Sequence, residues 1–217
     1  MNTRLRAPRT RQGFTLLELI IGLALLGSFF GSLLLVVSRG SSTARSGMEH
    51  QSLEALARRT LDRLARELAA AGAGTLTPDP TVPWGSDHVT FQRVAGYSAG
   101  EVQWETPAEF ALELDDGELD DGADNDGDDL VDERQLTYTR DPDGAAERIV
   151  LVHGVRELAE GELANGADDD GNGLRDEAGL SFRRVGGVLT VRLSLEEADV
   201  RGQTAVRTLE TSIRLRN

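Results

Sequence analysis

The feature that most constrains this chain is the apolar run at residues 14–37, FTLLELIIGLALLGSFFGSLLLVV, in which Glu18 is the one charged residue. At about 1.5 Å per residue, a helix of these 24 residues is about 36 Å long, enough to cross a hydrocarbon core of about 30 Å. A secretory signal peptide needs an apolar stretch of only about 7 to 15 residues before a small-residue cut, and this run is longer. Arg4, Arg6, Arg9 and Arg11 precede it with no acid among them. That basic flank stays in the cytoplasm and sends everything after Arg39 across the membrane. The expectation is a single-pass membrane protein with its body on the far side of the membrane.

Glu18 is out of place in such a segment. A carboxylate near the start of an apolar helix costs on the order of a few kcal/mol and is rarely kept without a partner. An unprocessed signal anchor with its glutamate at the interface is one arrangement compatible with this. The stretch Arg11-Gln12-Gly13-Phe14-Thr15-Leu16-Leu17-Glu18 supplies another, because it resembles the processing site of type IV prepilins and pseudopilins. The resemblance covers the basic leader, the glycine before the cut, the phenylalanine after it and the glutamate four residues further on. It implies cleavage between Gly13 and Phe14 by a prepilin peptidase, N-methylation of the new Phe14 amine, and assembly with other pilins or pseudopilins into a pilus or secretion pseudopilus. In a helical fibre the Phe14 amine of one subunit can lie beside the Glu18 carboxylate of a neighbour, so that two buried charges offset each other. Gly27 and Gly31 form a small-xxx-small pair that either permits close helix approach or is ordinary glycine tolerance in a membrane helix. Residues 14–73 contain no proline, and major pilins often carry one there, so the resemblance leans towards a minor subunit.

The remaining chain divides into an amphipathic helix at 38–74 and a β-rich domain at 75–217, after a leader at 1–13 and the span at 14–37. Leu53, Leu56, Leu61, Leu64 and Leu68 recur at three- to five-residue spacing and define one buried helical stripe. Glu54 with Arg58, Asp62 with Arg66 and Arg63 with Glu67 are opposite charges four residues apart on the other face, and Gly72 and Gly74 end the helix. Beyond Pro83, strands are expected at 88–94, 102–105, 109–114, 135–140, 148–152, 180–185, 188–196 and 204–216. The clearest alternation sets Leu189, Val191, Leu193 and Leu195 against Thr190, Arg192 and Ser194. The fold class is therefore α+β: a long N-terminal helix packed on an antiparallel sheet. The helix phrase Leu61-Asp62-Arg63-Leu64-Ala65-Arg66-Glu67-Leu68, the Leu136-Thr137-Tyr138 strand and the terminal Arg214-Leu215-Arg216 are similar to those of W-type minor pilins and J-type type II secretion pseudopilins.

An internal repeat lies within the β-rich region, in acidic loops at 115–133 and 164–178. The segment from Asp121 to Glu133 recurs 44 positions later from Asn165 to Glu177. Counting from Asp124 or Asp168, oxygen-bearing side chains fall at relative positions 1, 3, 5 and 9. Calcium accepts six to eight oxygens at about 2.3–2.6 Å in flexible geometry, and magnesium demands a stricter octahedron. Calcium is thus the expected cofactor. Candidate ligands are Asp124, Asp126, Asp128, the Leu130 carbonyl, Asp132 and Glu133 in the first loop. Their counterparts in the second are Asp168, Asp170, Asn172, the Leu174 carbonyl, Asp176 and Glu177. Gln135 and Gly179 stand where an EF-hand places its bidentate glutamate, so these are not EF-hands. Solvated acidic turns without a metal are the other reading of the same residues.

A net charge of -14, with arginine as the whole basic complement, disfavours phosphate-backbone binding, so no nucleic-acid partner is expected. The chain has no cysteine. His50, His88 and His153 lack metal-ligand spacing, and Ser86-Asp87-His88 are adjacent positions that cannot all converge, so no enzyme constellation is present. A membrane- or fibre-anchored, calcium-dependent binding or adhesion module remains the alternative to a purely structural subunit.

Overall fold

The computed structural model describes residues 15–80, 86–198 and 203–215, and the side chains of these residues except 36–50. Helix α1 is assigned over Leu16–Ala69. The chain divides into two compact units, Met1–Ser46 and Gly47–Asn217, each with its own character. In the first, every described side chain from 15 to 35 is exposed, leucines and phenylalanines included. Its 20-residue segment Leu16–Leu35 is long and apolar enough to cross a membrane.

In the second unit the end of α1 supplies one face of the core. Leu53, Ala57, Leu61, Leu64, Leu68 and Ala71 are buried at intervals of three or four residues, while Leu56 is only partly so. Glu54 and Arg58 pair at 2.7 Å as their spacing requires. Arg63 and Glu67 instead turn to the sheet: Arg63 lies over the Tyr138 ring at 5.9 Å, and Glu67 pairs with Arg93 at 2.8 Å. Tertiary partners outcompete a helical pair worth only about 0.2–0.5 kcal/mol. The helix stops at Ala69, a few residues before the expected end, and a short 3-10 turn follows at Ala73–Thr75. Gly72 is needed in this corner because the Trp104 ring rests on it, with a Cβ there falling 2.3 Å from the indole.

Nine strands follow among the described residues: β1 His88–Phe91, β2 Val94–Ser98, β3 Glu101–Trp104, β4 Ala108–Leu114, β5 Arg134–Arg140, β6 Glu147–Val155, β7 Leu180–Val185, β8 Val188–Ala198 and β9 Thr204–Arg214. The run expected as one strand at 88–94 is broken after Phe91, and its end belongs to a separate β2–β3 hairpin. The remaining strands make a seven-stranded antiparallel sheet in the order β1-β4-β5-β6-β8-β7, with β9 also on β8. Residues 188–193 of β8 pair with both β7 and β9, so those two lie on opposite edges of it. A two-way bridge between Ser86 and Phe182 ties the segment before β1 to β7.

The core forms where this sheet meets the helix. Phe91, Phe110 and Tyr138 follow one another across β1, β4 and β5, with ring centroids 5.4 and 5.1 Å apart. Leu189, Val191, Leu193 and Leu195 are fully buried, as their alternation requires. Ser194, on the opposite face, is buried too. It lies beneath the segment that leads out of the second acidic loop: its hydroxyl is 2.8 Å from that of Thr208, and its N–H donates to the Gly179 carbonyl at 2.7 Å.

Gly179 sits in the tightest backbone contact of this region. A Cβ there would lie 2.2 Å from the Arg156 carbonyl oxygen, which also accepts the Gly179 N–H at 3.2 Å. Neither partner is a side chain that can swing away. Gly179→Ala should therefore cost about 1–3 kcal/mol or more of stability, read from a denaturant midpoint. An unchanged midpoint would show that the chain relaxes freely here.

Candidate metal centres and the N-terminal motif

The two acidic loops fill equivalent places. The first joins β4 to β5, and the second joins β6 to β7. Each is closed at its base by a backbone bond, Asp115 N–H to the Glu133 carbonyl at 3.1 Å and Ala159 N–H to the Glu177 carbonyl at 2.9 Å. Within each, one buried glutamate organises the turn. Glu118 accepts from the N–H groups of Asn125 at 2.9 Å, Asp126 at 3.0 Å and Asp132 at 3.3 Å. Glu162 accepts from those of Asp169 at 3.1 Å and of Asp170 and Asp176, both at 3.0 Å. A carboxylate held by several N–H donors is fixed in place and keeps lone pairs for a cation.

These glutamates face two others. Carboxylate oxygens of Glu118, Asp126 and Glu133 lie within 4.8 Å of one another, and so do those of Glu162, Asp170 and Glu177. Asp124, Asp126 and Asp128 make a further group of this kind on the exposed side of the first loop. Glu133 and Glu177 are each only 1 % exposed. One carboxylate oxygen of each, Oε2, is buried without a hydrogen-bond partner among the described residues. Burying an ionised oxygen without a partner is costly.

The electrostatics of the two centres diverge. Burial, with Asp128, Glu118 and Asp126 nearby, pushes the Glu133 carboxyl up to about 7. Asp126 is raised by desolvation and by Asp128. At the equivalent Asp170, desolvation pushes upward but the Arg192 hydrogen bond prevails, so the group lies below its ordinary range.

The remaining sequence-derived candidates are placed unequally. Asp132 and Asp176 are hydrogen-bonded to backbone N–H groups, Asp132 to Asp121 and Gly122 at 2.8–3.1 Å, Asp176 to Asn165 and Gly166 at the same range. They staple the loops rather than join either group of converging carboxylates. Asp168 accepts from Gly171 at 2.7 Å and Gly173 at 2.9 Å, and Asn172 accepts from Leu174 at 2.8 Å. Leu130 and Leu174 are buried plugs. Glu118 and Glu162 escaped the sequence reading, although Gly117-Glu118-Leu119 and Gly161-Glu162-Leu163 extend the repeat backwards at the same 44-residue offset.

At the N-terminus, Thr15 and Glu18 form a reciprocal cap. The Thr15 N–H and hydroxyl donate to a Glu18 carboxylate oxygen at 3.0 and 3.1 Å, and the Glu18 N–H donates to the Thr15 hydroxyl at 3.2 Å. This is a capping box, legible in the sequence as Thr-x-x-Glu ahead of an apolar run. Gly13 and Phe14 lie outside the described residues.

Among known families, residues 8–34 match the prokaryotic N-terminal methylation motif. The chain carries the N-terminal motif of type IV pilin-like proteins. The match covers the basic leader's end, Gly13, Phe14, Glu18 and most of the apolar helix, and it marks the chain as a prepilin peptidase substrate. No curated protein and no solved structure matches the chain. The motif points to a structural role for this chain. The histidines are in keeping with that: His88 and His153 pair with Asp87 and Asp115 at 2.8 and 2.7 Å, and the Ser86 hydroxyl donates to the His88 carbonyl rather than to an imidazole.

Proposed function

We propose that the protein is a minor pilin or pseudopilin of a type IV pilus or type II secretion pseudopilus, with calcium-stabilised loops. The precursor sits in the bacterial inner membrane with its body in the periplasm. Prepilin peptidase cuts it between Gly13 and Phe14 and methylates Phe14, and the mature chain then assembles with other pilins. The observation that carries this is the methylation motif at 8–34 running into a fully exposed apolar helix of spanning length. Before cleavage Glu18 caps its own helix through Thr15. In the fibre the same carboxylate neutralises the Phe14 amine of a neighbour. Support for a minor subunit comes from the proline-free helix and the phrases shared with W- and J-type subunits. Support for calcium comes from two centres of three carboxylates, each with a buried, unpartnered glutamate oxygen.

Mass spectrometry of the mature protein should find an N-methylated Phe14 at its start. An intact Met1 terminus in cells with active peptidase would overturn the assignment. A bulky residue in place of Gly13 should block the cut. Glu18→Ala should still insert in the membrane but lose most of its entry into fibres; normal entry would remove the role given to Glu18. Specific, calcium-dependent capture of a surface ligand by the purified protein would favour the adhesion alternative instead.

A further inference from the structure

The second acidic loop has a cation of its own. Arg192 Nη1 lies 2.5 Å from Asp170 Oδ2 and 3.1 Å from Glu177 Oε1, bridging two of the three carboxylates of that centre. All three side chains are well shielded, at 19 %, 15 % and 0 % exposure. A second arginine closes the loop backbone, with Arg183 Nη1 donating to the Asn172 carbonyl at 2.7 Å. The Asn172 side-chain amide also donates to Glu177.

The first loop has none of this. Among the described residues, Glu118, Asp126 and Glu133 form no ion pair with an arginine; Arg134, the adjacent one, reaches Asp120 at 3.7 Å and Glu157 at 4.0 Å instead. The repeat itself shows why. Ser181 pairs across β7 and β8 with Arg192, whereas Thr137, 44 residues earlier, pairs across β5 and β6 with Val150. The register position that supplies a guanidinium to the second centre holds an apolar residue at the first. Position 172 is asparagine where the first loop has Asp128, and position 173 is glycine where it has Asp129.

Resting on the calcium reading above, we infer that the two loops are functionally unequal: the first takes calcium from solution, while the second is closed by the Arg192 guanidinium and takes calcium only weakly. A guanidinium and a divalent ion compete for the same two carboxylates, and the arginine is present at high effective concentration because β8 holds it there. Calcium at the second loop must displace a shielded, charge-assisted bond. At the first it meets uncompensated acids.

Isothermal titration of the full chain in detergent micelles with calcium chloride, at fixed high monovalent salt, tests this. Two classes of site should appear, the tight one at least tenfold stronger than the weak one. Asp126→Asn should abolish the tight class, whereas Asp170→Asn should leave it intact. Arg192→Gln should strengthen the weak class at least tenfold, and Arg192→Lys, which keeps the charge, should leave it weak. Two equal sites in the parent, or a tight class lost with Asp170→Asn and kept with Asp126→Asn, would overturn the inequality while leaving calcium binding in place. The Asp126 and Asp170 variants decide this even where Arg192→Gln does not fold. The absence of any calcium heat in the parent would overturn the calcium reading itself and this inference with it.

Discussion

Millimolar calcium should raise the melting temperature of the full chain in detergent by several degrees. The cause is charge: twelve acids and no base stand between Glu113 and Glu133, and three of their carboxylates converge within 4.8 Å around Glu133. Without a cation, ordering this loop opposes both like-charge repulsion and chain entropy. Calcium at about a hundred times its dissociation constant adds about 2.7 kcal/mol to the folded state. At about 2–4 °C per kcal/mol for a domain of this size, that is roughly 5–11 °C. Asp124→Ala combined with Asp126→Ala should remove the greater part of the shift, and Asp168→Ala with Asp170→Ala the remainder. Monovalent salt is held high throughout so that general screening does not imitate binding. If both double variants respond to calcium as the parent does, the loops are solvated turns.

Glu133→Gln should act with opposite signs in the presence and absence of calcium. Its carboxylate is buried, its Oε2 is unpartnered, and its pKa is pushed up to about 7. In calcium-free protein the amide removes a buried charge without a counter-ion, so stability should rise by about 1–3 kcal/mol at pH 8. With calcium present the variant lacks a strong ligand, and the calcium-induced shift should shrink by half or more. The pH dependence has a defined sign. A carboxyl raised from its ordinary 4.5 to about 7 binds its proton more tightly in the folded chain. Its contribution is therefore fully present below about pH 4.5 and is lost as pH rises through 7. Parallel calcium-free denaturation series at pH 5 and 8 check this: the gap between Glu133→Gln and the parent should widen at pH 8. A variant less stable than the parent at pH 8 without calcium would show that Glu133 is satisfied by the protein alone.

Much of the fold was legible because it rests on period. The leucine stripe of α1 and the alternation of β8 each state which face is buried, and eight of the nine described strands lie within a few residues of their expected bounds. Strand β2 was hidden because its residues are mostly exposed and carry no alternation. Helix-surface pairing misled at Arg63 and Glu67, where sheet residues proved better partners.

The sequence by itself determined the apolar N-terminal helix, the methylation motif, the α+β class and the existence of a repeated acidic loop. These are set by composition and short spacing, which need no knowledge of distant neighbours. Only the tertiary structure decided that Glu118 and Glu162 are the buried organisers of those loops, that Asp132 and Asp176 accept from the loop backbone, and that Arg192 stands over one centre while Val150 pairs with the residue matching its partner. Such choices depend on which strand passes beneath which loop. A charge 15 residues away from Glu177 becomes its nearest cation only because β7 and β8 pair in one register.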